Sequence, residues 1–434
     1  MYIYFLLIRI AALFGHRKAR MLVHGQAETM KLVKAKGRED EWTKVRGAIL
    51  FHTASVGEFE QARPLIERLK ANSEGRKIVV TFFSPSGYEA RKNFREVDGV
   101  YYLPFATRRN ARWFLDALQP RMAIFVKYEF WPAYLRELKK RDIPSYSVCA
   151  IFRPKQPFFR WWGKQYLKVL NCFTHIFVQD EASRRLLAEH GVHNASVAGD
   201  TRFDRMWEVV ESQKSKDCDR VAQSPLKPIE LFTEGCERVI VAGSTWPKDE
   251  ELLAKYIAIT GDRLQVTERT KLILVPHELT EEHLHYIFQL FKGRFVRYSD
   301  IMAKGDGVQV TESKRHILQQ ADVLVIDTMG LLSRIYRFGQ VAYIGGGFGV
   351  GIHNTIEAAA YGLPVLFGPN HLHFREALGL IAAGAARSIS NYPELESALD
   401  TALDHHSEIG AKAAAYVESE LGASAKIYEQ IFAN

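Results

Sequence analysis

Cysteine is scarce in this chain and never paired in sequence. Cys149, Cys172, Cys218 and Cys236 are scattered through 434 residues with no CxxC among them. That spacing argues against a zinc site and a disulfide framework, and it fits a reducing compartment. The N-terminal apolar run, Met1 to Phe14, falls short of the about 20 residues that a comfortable bilayer span needs. The glycine-rich stretch from Gly345 to Gly351 matches GxGxxG in no register, so the dinucleotide fingerprint is absent. Internal repeats, low-complexity tracts and helix-turn-helix or RNA-binding signatures are missing too, so nucleic acid is not an expected partner. His371 and His373 stand two apart without a carboxylate or cysteine at ligand spacing, so no bound metal and no cofactor are expected.

What is present is ordinary globular material: 47% hydrophobic residues, enough for two cores, and a net charge of +8. A basic balance suits anionic membrane surfaces or phosphorylated substrates. Met1 to Phe14 is apolar except for Arg9, and basic residues follow it: Arg17, Lys18, Arg20, then Lys31, Lys34, Lys36 and Arg38. A cleaved signal peptide has the opposite order. Two readings stand: an anchor lying in a membrane leaflet with its basic run on anionic headgroups, or a first helix packed against the protein.

Beyond it, short apolar runs alternate with charged helical stretches. Strands are expected at 48–51, 78–83, 100–103, 122–126, 145–150 and 175–178, then at 239–242, 271–275, 323–326, 341–344 and 364–367. Alternation of this kind predicts an α/β protein with parallel sheets covered on both faces. The polar, proline-containing stretch 211–230 reads as a domain connection. The expected division is 1–20 as the anchor, 21–210 and 211–410 as two Rossmann-like domains, and 411–434 as a closing helix that can return to the first domain.

Ligands of open α/β sheets bind beyond the carboxyl ends of the strands, so the turns after the strands are the places to search. Glu58, in Ala54-Ser55-Val56-Gly57-Glu58, falls at a strand-to-helix turn, where a carboxylate can take a proton from an attacking hydroxyl. Ser55-x-x-Glu58 also satisfies a capping box, which would leave Glu58 a purely structural role. Glu129 precedes Phe130-Trp131-Pro132; it can orient substrate, or merely favour a helix N-terminus, and Trp131 reads as core. Arg202, in Gly199-Asp200-Thr201-Arg202, can meet phosphate or carboxylate, or be a solvated surface arginine. In the second half, Ser244, Pro276-His277 and Asp327-Thr328-Met329-Gly330 close strands. The fullest local signal runs from Tyr343 through the glycines to His353-Asn354-Thr355-Ile356-Glu357. There glycines allow close backbone approach, Asn354 can cap the next helix, and exposed helix N–H groups favour anions. Glu357 can fix a ribose or complete the cap. The aromatic-basic stretch 153–170, with Phe158, Phe159, Trp161 and Trp162 among Arg153, Lys155, Arg160 and Lys164, reads equally as a lipid-docking patch or a part-buried helix.

Taken in order, Ala54 to Glu58, Glu129 to Pro132, Asp327 to Gly330 and Gly345 to Pro369 resemble the motifs of the 3-deoxy-D-manno-octulosonic acid (Kdo) transferase family. The resemblance covers nearly the whole chain. It implies a GT-B glycosyltransferase architecture, two Rossmann-like domains facing an interdomain cleft, with an N-terminal membrane anchor at the cytoplasmic face of the bacterial inner membrane. It implies CMP-Kdo as donor, a lipid A precursor (lipid IVA) as acceptor and inverting transfer in lipopolysaccharide core biosynthesis. Glu58 matches the general base, and Glu129 and Arg202 match positions assigned to transition-state stabilisation. CMP contacts map to Pro276, His277, Met329, Gly330, Leu331 and Asn354, Thr355, Ile356 and Glu357, and Ser55, Gly57, Ser244 and His353 complete the candidate substrate-binding set. The family commonly has arginine where His277 stands, an acidic residue for Leu331, proline for Thr355 and a carboxylate for Lys127. His277 can donate one hydrogen bond but not arginine's bidentate fork. The alternatives are a GT-B enzyme using a UDP-sugar, whether transferase or epimerase, and a non-catalytic membrane-associated sugar-binding protein.

Overall fold

The computed structural model describes residues 2–35, 41–72, 75–216, 224–263, 269–293, 295–302 and 310–432. Lys36, Arg38, Cys218, residues 217–223 of the expected connection and the side chains of Trp162 and Lys164 lie outside the described residues. The chain divides into two compact units, Met1–Arg205 with Glu420–Asn434, and Met206–Ser419.

In the first unit the strands are β1 (Ile49–Thr53), β2 (Ile78–Phe82), β3 (Gly99–Tyr102), β4 (Met122–Val126), β5 (Ser145–Ala150), β6 (His175–Val178) and β7 (Ala195–Val197). They form one parallel sheet in the order β3-β2-β1-β4-β5-β6-β7. Every residue of β1 and β2 is buried, as expected of parallel strands covered on both faces. One face packs under the helices Arg108–Leu118 and Pro132–Lys140 through Phe114, Leu115, Tyr134 and Leu135. The other packs under Val56–Asn72 through Phe59, Leu65, Ile66 and Leu69. Local chemistry sets the helix starts: the Thr107 side chain accepts the Asn110 N–H at 3.1 Å, and Pro85 and Pro132 occupy first turns, where the missing N–H costs nothing. The last helix, Ala423–Phe432, packs on this unit with Ile427 in its core. Its start is capped from far away in sequence. The Asp204 carboxylate accepts the N–H groups of Gly422 at 2.7 Å and Ser424 at 2.6 Å.

The second unit repeats the plan with β8 (Val239–Thr245), β9 (Lys271–Pro276), β10 (Phe295–Arg297), β11 (Val323–Val325), β12 (Val341–Ile344), β13 (Val365–Phe367) and β14 (Ala386–Ser388). This parallel sheet runs β10-β11-β9-β8-β12-β13-β14. Its core gathers Tyr256, Ile287, Tyr343 and Leu399.

The N-terminus forms two helices, Tyr2–Leu13 and Arg17–Lys34. Phe5 is buried, with its ring 4.6 Å from that of Phe105 and 6.2 Å from that of Trp131. Leu6, Leu7, Leu13 and Phe14 face outward, Phe14 at 89% exposure. Among the described residues no helix is long and apolar enough to cross a membrane. The aromatic-basic stretch divides between its two readings: Phe158 packs edge-on to Phe130 at 5.3 Å, while Trp161 is exposed.

Candidate functional site

A doubly wound sheet opens a crevice where the strand order reverses, because the loops on either side depart in opposite directions. In the first unit that point lies between β1 and β4, and in the second between β8 and β12. The loops that follow these four strands carry most of the sequence motifs.

After β1 the chain turns through Ala54 and Ser55 into the helix Val56–Asn72, whose first turn holds Glu58. Ser55 Oγ accepts the Glu58 N–H at 3.4 Å, and Glu58 Oε2 accepts the Ala54 N–H. The reciprocal cap is therefore real. A side chain at Gly57 would meet only Ser55 Oγ, at 4.0 Å, so the surface beside Glu58 stays open. After β4 the backbone turns at Lys127, with φ at 61°, and brings Glu129 over β1. The Trp131 indole N–H is shared between Glu129 Oε2 at 2.6 Å and His52 Nε2 at 2.9 Å. His52 Nε2 lies 2.9 Å from Glu129 Oε2, while its Nδ1 faces Thr81 Oγ1 at 3.0 Å and the Thr81 carbonyl at 3.2 Å. His52 is wholly buried.

These contacts set the charge state of Glu58. Burial, and next the negative charge of Glu129, raise its pKa from 4.5 to about 7, against the opposing Ala54 N–H and Lys127 charge. Arg202 sits on a different support. Its Nε and Nη2 both donate to Asp200 Oδ2, at 2.9 and 2.7 Å, so it is not the solvated arginine of the bland reading. Asp200 is 1% exposed. Burial opposes its ionisation, but the Arg202 charge and hydrogen bonds hold its carboxyl below the usual range. Gln61, one turn beyond Glu58, donates to Asp200 Oδ1 at 2.9 Å, and its carbonyl accepts the Thr201 hydroxyl at 2.6 Å. The Arg202 turn is thus fastened to the helix that carries Glu58.

In the second unit the loop after β8 passes Ser244 at φ 54° and reaches Trp246. The loop after β12 is the glycine run. One buried carboxylate joins them: Asp249 Oδ2 accepts the N–H groups of Trp246 at 3.0 Å and Gly346 at 2.9 Å, and Oδ1 accepts the Tyr343 hydroxyl at 2.8 Å. Trp246 Nε1 donates to His353 Nε2 at 3.2 Å, and the exposed His277 ring stacks on both, 4.9 Å from Trp246 and 4.4 Å from His353. Burial, then the neighbouring His277, lower the His353 pKa to about 4, which leaves it a neutral acceptor near pH 7. Asn354 donates to Glu357 Oε1 at 2.8 Å and accepts the Ile356 N–H at 3.2 Å.

Two expectations change here. The glycines serve chain-on-chain packing: a Cβ on Gly345 would lie 2.3 Å from the Ser244 carbonyl oxygen, and one on Gly347 2.6 Å from Gly368 Cα. The helix after Asn354 is only Ile356–Ala360, five residues, so its dipole is too short to dominate anion binding. Thr355 and Ile356 are fully buried, main chain included. Pro276 is buried beside exposed His277. Met329 is exposed, Gly330 turns at φ 87°, and half-buried Leu331 follows. Sequence reading missed His52, Trp246 and Asp249; Trp131, read as core, packs against it and also donates to Glu129. The available signal was a polar residue inside an apolar strand, at His52, and an acidic pair in a first helical turn, at Asp249-Glu250.

Comparison with known proteins accords with these loops. A family model described as 3-deoxy-D-manno-octulosonic-acid transferase (kdotransferase) matches residues 24–205. The 3-deoxy-D-manno-octulosonic acid transferase of Aquifex aeolicus is 26% identical over 369 residues, covering 84% of this chain and 88% of the relative. That of Bordetella pertussis is 27% identical over 369 residues, covering 81% and 78%. Over most of its length the chain is similar to the Kdo transferase family. The names of these relatives support a glycosyltransferase. Its two-unit fold is also that of UDP-GlcNAc 2-epimerase from Neisseria meningitidis bound to UDP-GlcNAc, with a TM-score of 0.62 at 15% identity over 89% of this chain and 100% of that one. Likeness at that identity speaks for the GT-B-like fold alone.

Proposed function

We propose that this chain moves Kdo from CMP-Kdo to a lipid A precursor, with inversion at the anomeric carbon, at the cytoplasmic face of the bacterial inner membrane. In this reading Glu58 takes the proton of an acceptor hydroxyl while the oxygen attacks the anomeric carbon. The bond from that carbon to the phosphate oxygen breaks, and CMP leaves with the electron pair. The observation that carries the assignment is the placement of the Glu58 carboxyl at the turn after β1, where the strand order reverses, with burial and Glu129 raising its pKa to about 7. A general base works best with a pKa near the operating pH, where it is both substantially ionised and a strong enough acceptor. Glu129, fixed by His52 and Trp131, supplies negative charge beside the developing positive charge of the sugar. Arg202, already oriented by Asp200, is the cation of the first unit assigned to the charge developing on the leaving phosphate. Donor binding falls to the second unit, at Ser244, Pro276, His277, Met329 to Leu331 and His353 to Glu357.

The acceptor assignment draws support from the N-terminus. Leu6, Leu7, Leu13 and Phe14 form an exposed apolar face on a helix too short to span, and the basic helix Arg17–Lys34 follows it. That pairing suits binding in the plane of an anionic leaflet, where a lipid substrate resides.

The test is transfer by Glu58→Gln, read by mass spectrometry of products from CMP-Kdo and a tetraacylated lipid A precursor. Loss of a general base predicts a fall of roughly 10²–10⁴-fold with the fold retained. Near-wild-type turnover removes Glu58 as base. Thermal stabilisation by UDP-GlcNAc but not CMP-Kdo would transfer the chain to UDP-sugar chemistry.

A further inference from the structure

At the opposite end of the first sheet, where β1, β2 and β4 begin, the surface holds a recess of about 660 Å³. Four cations line it, Arg46, Arg76, Lys77 and Arg121, and among the described residues no carboxylate does. They come from three separate segments, each immediately preceding a strand, so the parallel sheet itself gathers them. The returning C-terminal helix closes one wall with Ile431 and Phe432. The Arg76 guanidinium lies over the Phe432 ring at 5.7 Å, and the Arg121 Nε lies 4.0 Å from where a Cβ on Gly47 would stand. Several arginines elsewhere in this unit are neutralised: Arg63, Arg91, Arg141, Arg184 and Arg205 pair with carboxylates. None of the four recess cations has an ion-pair partner among the described residues. Asp98, which accepts the Ile78 N–H at 2.8 Å, is engaged by Lys70 at 3.0 Å.

We propose that this recess is a second ligand site, remote from the motif loops, for an anion carrying two or more phosphate groups. Clustered like charges in a concave surface repel one another and focus a positive potential, which a multivalent anion relieves. Three guanidinium forks and one ammonium match phosphate oxygens, and the volume suits anything from a diphosphate to a nucleotide-sized group. A free polyphosphate and a phospholipid headgroup share this chemistry. The site stands independently of the Kdo assignment, since none of its residues belongs to the proposed transfer machinery.

The test is isothermal titration calorimetry of the full chain with inorganic tripolyphosphate at physiological ionic strength. Wild type is expected to show saturable binding at one site. Arg76→Ser/Arg121→Ser should bind at least tenfold more weakly with an unchanged thermal midpoint, and Arg46→Ala/Lys77→Ala provides a second pair should the first fold poorly. The control, Arg184→Ser/Arg185→Ser on the exposed helix Glu181–Glu189, should bind as wild type does. Repeating the titration with phosphatidylglycerol or phosphatidylcholine vesicles separates the sources. Suppression by the anionic vesicles alone identifies a lipid headgroup, and indifference to both identifies a soluble anion. Absence of saturable binding, or equal weakening in the recess and control variants, overturns the proposal.

Discussion

Replacing Glu58 by glutamine should make the protein more stable at pH 8 while abolishing transfer. The rise of the Glu58 pKa from 4.5 to about 7 corresponds to roughly 3 kcal/mol of disfavoured ionisation, at about 1.36 kcal/mol per pH unit. Between these two values the folded chain keeps a proton that the unfolded chain has released. Stability therefore falls as pH rises through the window, and the loss is complete above about pH 7. Glutamine does not titrate, and its amide oxygen can still accept the Ala54 N–H. Solvent reaching the half-buried carboxyl trims the gain to roughly 2–3 kcal/mol at pH 8 and close to none at pH 4.5. For a domain of this size that is a rise of roughly 4–10 °C in the midpoint. Differential scanning calorimetry of both proteins at pH 5 and pH 8 measures it, using the transition of the first unit because two units need not unfold together. Titrations of groups remote from Glu58 cancel in the difference between the proteins. A difference that is the same at both pH values, or a variant less stable than wild type at pH 8, refutes the reasoning about Glu58.

Glu129→Gln removes the like charge beside Glu58, so the acid limb of the pH–rate profile should move to lower pH even as the maximal rate falls; initial rates from pH 5.5 to 8.5 show it, and an unmoved limb contradicts the coupling. Asp204→Ala strips two backbone N–H groups of their acceptor at the start of the last helix. It should cost about 1–2 kcal/mol in denaturant unfolding and expose that helix to proteolysis, and unchanged protease resistance would count against the cap. Asp249→Ala leaves the Trp246 and Gly346 N–H groups and the Tyr343 hydroxyl without their acceptor. A loss of roughly 3 kcal/mol is expected, with weakened stabilisation by CMP in the same thermal scans.

The sheets were legible because parallel strands buried on both faces are written as short apolar runs, and eleven such runs were visible. The strands that escaped, Ala195–Val197, Phe295–Arg297 and Ala386–Ser388, lie at sheet edges with part-exposed residues, so no apolar run marks them, whereas the equally short Val323–Val325 and Val365–Phe367 are fully buried. The motif loops were legible by their position after strands. The partners that tune them were not, since His52 and Thr81 meet across two strands 29 residues apart, and Asp249 reaches Gly346 across 97. The glycine run was misread for a related reason. From sequence a glycine marks close approach without saying to what, and here the approaching group is the chain's own backbone at Ser244 and Gly368.

The sequence set two readings of Glu58 against each other, a helix cap and a proton acceptor, and the geometry removes the rivalry. The same oxygen that accepts the Ala54 N–H belongs to the carboxyl that burial and Glu129 push upward. The cap favours the ionised form and so works against both. Without it, burial beside a second carboxylate would drive the pKa further above neutrality, and the group would rest protonated and unable to accept. With the cap but without burial and Glu129, it would fall back toward 4.5, ionised but too weak a base to draw a proton from a sugar hydroxyl. A pKa of about 7 is the balance of these opposing contacts. The local structural role of Glu58 is thus one of the conditions for its proposed chemistry, and a substitution at Ser55 or Ala54 that loosened the turn should alter the pH dependence of transfer before it altered the fold.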